Sequence, residues 1–109
     1  MAKRSGSLAK TKNAPPYNQK ATKLEGNLGI READAVRRAL AQAIGAGSAC
    51  IDVRGLSAVD TSIVQLLIAA TRSAAERGAR LEIAGFEEGA LAAFMRSVGV
   101  SAEEINVVS

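Results

Sequence analysis

The sequence has no histidine, no tryptophan and a single cysteine, Cys50. Without histidine it lacks the usual general base of serine and cysteine hydrolases and the nitrogen ligands of ordinary zinc sites. We therefore expect no catalytic residue, no metal site and no cofactor. A lone cysteine forms no disulfide within the chain, which favours a reducing cytoplasm. We expect Cys50 to pack as a small apolar residue in a strand.

Aromatic residues and long apolar runs are also scarce. Only Tyr17, Phe86 and Phe94 are aromatic, so a core must be built from Ala, Leu, Ile and Val. No apolar run reaches the roughly 18 residues of a membrane span, and the basic start of the chain lacks the apolar stretch of a signal peptide. The length of 109 residues suits one domain. We expect a cytoplasmic domain that does not insert into membranes.

Positive charge is concentrated at one end of the chain. Residues 1–23 carry six Lys or Arg and no acid, whereas residues 24–109 carry eight Arg and eleven acids. The composition of residues 1–21 predicts a disordered basic extension, followed by a domain over residues 22–109. That domain has no basic face with interleaved aromatic residues, so a nucleic-acid partner is not expected.

The hydrophobic pattern alternates between strand and helix periods. It predicts a hairpin of two short strands around Gly26–Asn27, with an edge that allows a monomer or a weak homodimer. The remaining predicted elements are a helix over 31–44, a strand over 49–53, a loop over 55–62, a largely buried helix over 63–76, a strand over 81–85, a helix over 91–98 and a strand over 105–108. The order β-β-α-β-α-β-α-β predicts an α/β fold, with a mostly parallel four- to five-stranded sheet and helices packed against it.

Three motifs, in this order, resemble those of the STAS domain, the fold of bacterial anti-sigma-factor antagonists. Ile51–Val53 followed by Val59–Ser62 is similar to the family's strand, loop and Asp-Ser/Thr-Ser signature. Gly78–Gly85 resembles the strand after the second helix, and Phe94–Val100 resembles the closing helix with its glycine stop. The resemblance covers residues 22–108 and implies a non-enzymatic, protein-binding domain.

In regulatory members of the family, the serine at the start of the second helix is phosphorylated by a serine kinase that is also the anti-sigma factor. The matching residue here is Ser62. The resemblance implies a partner-binding loop made of Ser57, Asp60, Thr61, Ser62 and Ile63. Ile63 departs from the glycine usual in the switch proteins, and a bulky side chain there is expected to obstruct a docking kinase. Thr61 is typical of STAS subunits of transport or chemosensory systems. The alternative is therefore a constitutive subunit of a lipid or anion transport complex or of a chemosensory complex, with Ser62 only a helix cap.

Several residues have a simpler structural interpretation. Ser62 and Gln65 have the spacing of a capping box, and Asp60 is an equally good cap. Asp52 and Asp60 are not expected to form a catalytic pair, because no activating base or metal-ligand cluster accompanies them. Arg54 has three open roles: pairing with Asp52, binding a phosphate, or solvent exposure.

Overall fold

The computed structural model describes residues 21–87 and 89–108, so the predicted disorder of residues 1–21 falls almost wholly outside it. The described elements, in chain order, are β1 Thr22–Lys23, β2 Gly26–Leu28, a 3-10 turn Ile30–Glu32, α1 Ala33–Gly45, β3 Ala49–Asp52, β4 Leu56–Val59, α2 Thr61–Glu76, β5 Leu81–Ala84, α3 Ala90–Val98, a 3-10 turn Ala102–Glu104 and β6 Val107–Val108.

All described strand pairs are parallel. One sheet has the order β1-β3-β5-β6, and β2 and β4 form a two-stranded ladder of their own. Helices connect β2 to β3, β4 to β5 and β5 to β6, as crossovers between parallel strands require. The predicted α/β fold with a parallel sheet and three helices is confirmed.

The predicted hairpin at Gly26–Asn27 is wrong. β1 and β2 do not pair with each other. β1 pairs with β3, with Thr22 opposite Ile51, and β2 pairs with β4, with Gly26 opposite Leu56. Gly26 has a φ of +84°, and the register shifts between it and Asn27. The glycine therefore marks an irregularity within a strand and not a reversal of the chain. The hairpin edge proposed for a homodimer is consequently not formed.

The predicted loop over residues 55–62 also contains a strand. Leu56 and Val59, at the two ends of β4, are buried, while Ser57 between them is exposed. Because this strand is short and pairs with β2, about thirty residues earlier in the chain, its local pattern resembles that of a loop. The strand brings Asp60 directly to the start of α2.

One apolar core holds these elements together. The most deeply buried side chains come from the sheet and from α2 and α3, and include Ile51, Ile83, Ile63, Leu67, Leu91 and Met95. α2 buries residues around much of its circumference, as predicted, because it packs against both α1 and β5. This packing fixes the position of its N-terminal end, where the candidate site lies.

The two faces of the sheet differ. Ile51 and Ile83 point into the apolar core, whereas their neighbours Cys50 and Glu82 point to the opposite side, here called the outer face. Cys50 is 4% exposed and yet is not part of the core cluster. Asp52, two residues after Cys50, lies on the same outer face and is also buried.

Candidate partner-binding site

Asp60 is the N-cap of α2. Its Oδ1 accepts hydrogen bonds from the backbone N of Ser62 at 3.0 Å and from the Ser62 hydroxyl at 2.5 Å. Its backbone carbonyl accepts from the N–H groups of Ile63 and Val64. Of the two caps left open by the sequence, the structure selects Asp60. Ser62 lies in the first turn and donates to the cap, so the predicted capping box with Gln65 is not formed.

The same carboxylate also holds the 3-10 turn that leads into α1. Asp60 Oδ2 accepts from the backbone N of Ile30 at 3.0 Å, while Gly29 N donates to Glu32 Oε1 at 2.8 Å. A Cβ atom on Gly29 would lie 2.9 Å from Asp60 Oδ2, so any other residue here would force the carboxylate to shift. One carboxylate thus ties the N-terminal end of α2 to the 3-10 turn before α1, a contact that no local sequence signal predicts.

Asp60 is held in its ionised form. Donation from the Ser62 hydroxyl, followed by the backbone N–H groups of Ser62 and Ile30, lowers the pKa of Asp60 below its ordinary value. The site therefore presents a fixed negative charge at the N-terminal end of α2, where that helix meets the 3-10 turn before α1.

The surface around this carboxylate mixes polar and apolar groups. Thr61 and Ser57 are exposed, and Ser62 is half-buried. Ile30, whose amide binds the same carboxylate, leaves 70% of its surface exposed. Ile63 is completely buried in the core, so its side chain is not on the surface that a partner meets.

A shallow apolar groove lies between α1 and α2. It has a volume of about 210 Å³, and its lining includes Leu40, Ala41, Ile44, Leu66, Ala69 and Ala70. Leu66 and Ala69 follow Ser62 at helical spacing along one face of α2. The groove therefore continues the surface that begins at Ser62.

Arg54 pairs with Asp52 on the outer face. Its backbone N, Nε and Nη2 donate to the Asp52 carboxylate at 3.0, 3.1 and 2.9 Å. The donated hydrogen bonds from the Arg54 side chain hold the pKa of Asp52 below its usual range. Of the three roles left open by the sequence, pairing with Asp52 is the one that the structure shows for Arg54. Its side chain nevertheless remains 74% exposed. Asp52 and Asp60 belong to separate clusters.

Two further features bear on the site. In the described ranges 21–87 and 89–108, no three His, Cys, Asp or Glu side chains are grouped so that they could hold a metal ion. None of the described helices has the length and apolar character needed to cross a membrane.

A parallel α/β fold with an Asp-Thr-Ser sequence at the N-terminal end of its most buried helix defines the class of protein. The family model described as "Mlab, STAS domain" matches residues 17–108. The chain therefore belongs to the STAS domain family, which confirms the resemblance. No curated protein shows a significant match to the chain.

Proposed function

We propose that this chain is a non-enzymatic regulatory domain that binds a partner protein through the N-terminal end of α2, and that phosphorylation of Ser62 controls the binding. The partner class is a serine kinase that acts as an anti-sigma factor. The observation that carries the proposal is the convergence of the Ser62 hydroxyl and the Ile30 backbone amide on one carboxylate, through which a change at Ser62 would reach the exposed residue Ile30.

The burial of Ile63 supports this proposal. A bulky residue after the serine was expected to obstruct a docking kinase, but the Ile63 side chain is 0% exposed and packs in the core. This burial supports a domain that a kinase can approach at Ser62.

The switch would act through charge. A phosphate on Ser62 adds a charge of about −1.5 to −2 and removes the hydroxyl proton that is donated to Asp60. Because Ser62 Oγ lies only 2.5 Å from Asp60 Oδ1, the two anionic groups repel and the carboxylate turns away. Asp60 then releases the Ile30 amide, which changes the exposed surface at the start of α1. The phosphate itself is tolerated at a helix N-terminus, and the buried residues of α2 keep the fold.

The test compares the wild type with Ser62→Glu, Ser62→Ala and Thr61→Ala. Each is used as bait, and affinity for the captured kinase is measured with the purified partner. We expect Ser62→Glu to bind at least 100-fold more weakly, equivalent to about 3 kcal/mol. Ser62→Ala and Thr61→Ala should still bind, and mass spectrometry after incubation with the kinase and ATP should find phosphate on the wild type and not on Ser62→Ala. Equal affinity of the wild type and Ser62→Glu would contradict the switch.

A second candidate is a constitutive subunit of a lipid or anion transport complex or of a chemosensory complex. It is favoured by the hydrogen bond that engages the Ser62 hydroxyl within the domain. In that case the exposed Ile30 and the α1–α2 groove form a permanent contact. A transporter or chemosensory component captured equally by the wild type and Ser62→Glu, but lost with Ala69→Glu in the groove, identifies this alternative.

A further inference from the structure

The hydroxyl group of Ser62 is already oriented towards a base. Ser62 Oγ lies 2.5 Å from Asp60 Oδ1 and donates its hydrogen to that oxygen. A general base must lie within hydrogen-bond reach, about 3 Å, of the atom from which it takes a proton, and this contact meets that requirement. Because the hydrogen is directed at Asp60, the lone pairs of Ser62 Oγ are left on its other sides. Ser62 is only half-buried, so an electrophile can meet them there.

The carboxylate of Asp60 is suited to receive that proton. The hydrogen bond from the Ser62 hydroxyl lowers the pKa of Asp60 more than any other contact, so the carboxylate is ionised near neutral pH. Its position is fixed because Oδ1 also accepts from the backbone N of Ser62, and Oδ2 from the backbone N of Ile30, both at 3.0 Å. Protein kinases use an ionised Asp in the same way, to accept the proton of the substrate hydroxyl.

The structure also distinguishes two neighbouring hydroxyl groups. Thr61 is exposed and Ser62 is half-buried, so accessibility alone would favour modification of Thr61. Within the described part of the chain, however, the Asp60 carboxylate accepts a hydroxyl hydrogen from Ser62 and none from Thr61. The base therefore selects Ser62.

We propose that Asp60 is the general base for the phosphorylation of Ser62, so that the domain contributes a catalytic residue to its own modification. This inference rests on the phosphorylation proposed above. Ser62 Oγ attacks the γ-phosphorus of a nucleoside triphosphate held by the kinase. The Oγ–P bond forms, the bond from phosphorus to the bridging oxygen breaks, and the nucleoside diphosphate leaves. The hydroxyl proton passes to Asp60 Oδ1 and from there to water, which reaches this half-buried residue.

The test measures single-turnover phosphate transfer from radiolabelled ATP to the full chain, with the partner kinase in excess. Asp60→Asn is the main variant, because Asn caps helices as well as Asp does but is not a base. We expect its rate constant at saturating kinase to fall at least 100-fold, the usual range for loss of a general base. The kinase concentration that gives half of the maximal rate should change less than about threefold, since binding is not the step affected.

Two further variants separate the chemistry from the structure. Asp60→Ser also retains a good cap and should lose as much rate as Asp60→Asn. Glu32→Ala is the matched control, because it removes another carboxylate that holds the same 3-10 turn, through the backbone N of Gly29 at 2.8 Å. It loses one negative charge and loosens the turn, as Asp60→Asn does, but leaves the base in place. Its rate constant should equal that of the wild type.

The possible outcomes are distinct. A wild-type rate constant for Asp60→Asn would show that the kinase supplies the base, and would overturn the inference. An equal fall for Asp60→Asn and Glu32→Ala would also overturn it, because the turn and not the proton acceptor would then control the rate. A change confined to the half-saturating kinase concentration would show that Asp60 acts in binding alone, with the same consequence. Absence of phosphate from Ser62 of the wild type would instead show that the proposed function itself is wrong.

Discussion

Asp60 is the residue on which the site depends, because one carboxylate oxygen binds the first turn of α2 and the other binds the 3-10 turn before α1. The cap itself was one of the alternatives read from the sequence, since Asp at the start of an apolar helix is a strong signal. The bond to Ile30 was not predictable, because nothing in either local sequence indicates that residues thirty positions apart meet. Ile63 shows the same distinction: its motif position marks it as part of the loop, but only the packing shows that it points inward.

Replacing Asp60 should destabilise the domain more than an ordinary surface substitution. Asp60→Ala removes the acceptor for the N–H groups of Ser62 and Ile30, and loss of a cap in a domain of this size lowers Tm by roughly 4–8 °C. Thermal unfolding followed by circular dichroism gives the measurement, and exposed Thr61→Ala is the matched control, with a shift below about 2 °C. A Tm for Asp60→Ala equal to that of the control would show that the carboxylate does not hold the two helices.

The contribution of Asp60 should also depend on pH. Its pKa is lowered in the folded state by the Ser62 hydroxyl, so the ionised carboxylate stabilises the fold at any pH above the unfolded value of about 3.9. That stabilisation is lost as pH falls through the folded-state value. The difference in unfolding free energy between the wild type and Asp60→Asn, which does not titrate, should be constant from pH 5 to 7 and shrink below about pH 4. Asp52 and Asp34 titrate in both proteins, so their effects cancel. A difference that stays constant down to pH 2 would contradict this role.

At the scale of elements, the helices were predictable and two of the strands were not. α1, α2 and α3 each carry a helical period and are stopped by glycine, so residues close together in sequence define them. β2 and β4 are three and four residues long and pair with each other across a separation of about thirty residues. Their formation depends on tertiary pairing that a local pattern does not contain, which is why the local pattern at Gly26–Asn27 predicts a turn.

Two helix-end glycines should respond to alanine in opposite directions. Gly99, the C-cap of α3, has a φ of +76°, whereas Gly45 ends α1 in a helical conformation; a Cβ at either position meets open space. Gly99→Ala should therefore lose about 1 kcal/mol through backbone strain alone. Gly45→Ala should gain about 0.5–1 kcal/mol through lower entropy of the unfolded chain. Denaturant titration measures the change in unfolding free energy for both variants. Changes of the same sign would show that the helix ends are misassigned.

At the scale of the whole molecule, the two sides of the domain differ in their chemistry. The α1–α2 side carries Ser62, Ile30 and the apolar groove, and the opposite side carries Glu82 and Cys50 on the sheet. Family membership was predictable because the motifs occur in the right order along the chain. The division of the sheet into a core-facing side and an outer face was not predictable. It depends on the direction in which alternate strand residues point after the helices have packed against one side.

The pairing of β1 with β3 has a consequence for how the chain folds. Thr22 pairs with Ile51 and Leu28 with Val59, so the described partners of β1 and β2 are made about thirty residues after them. During synthesis, β1 and β2 therefore leave the ribosome well before the strands that complete their hydrogen bonds. Closing such long loops costs entropy before any contact compensates for it, which slows folding. The opening strands of this domain should be among the last elements to acquire their native pairing.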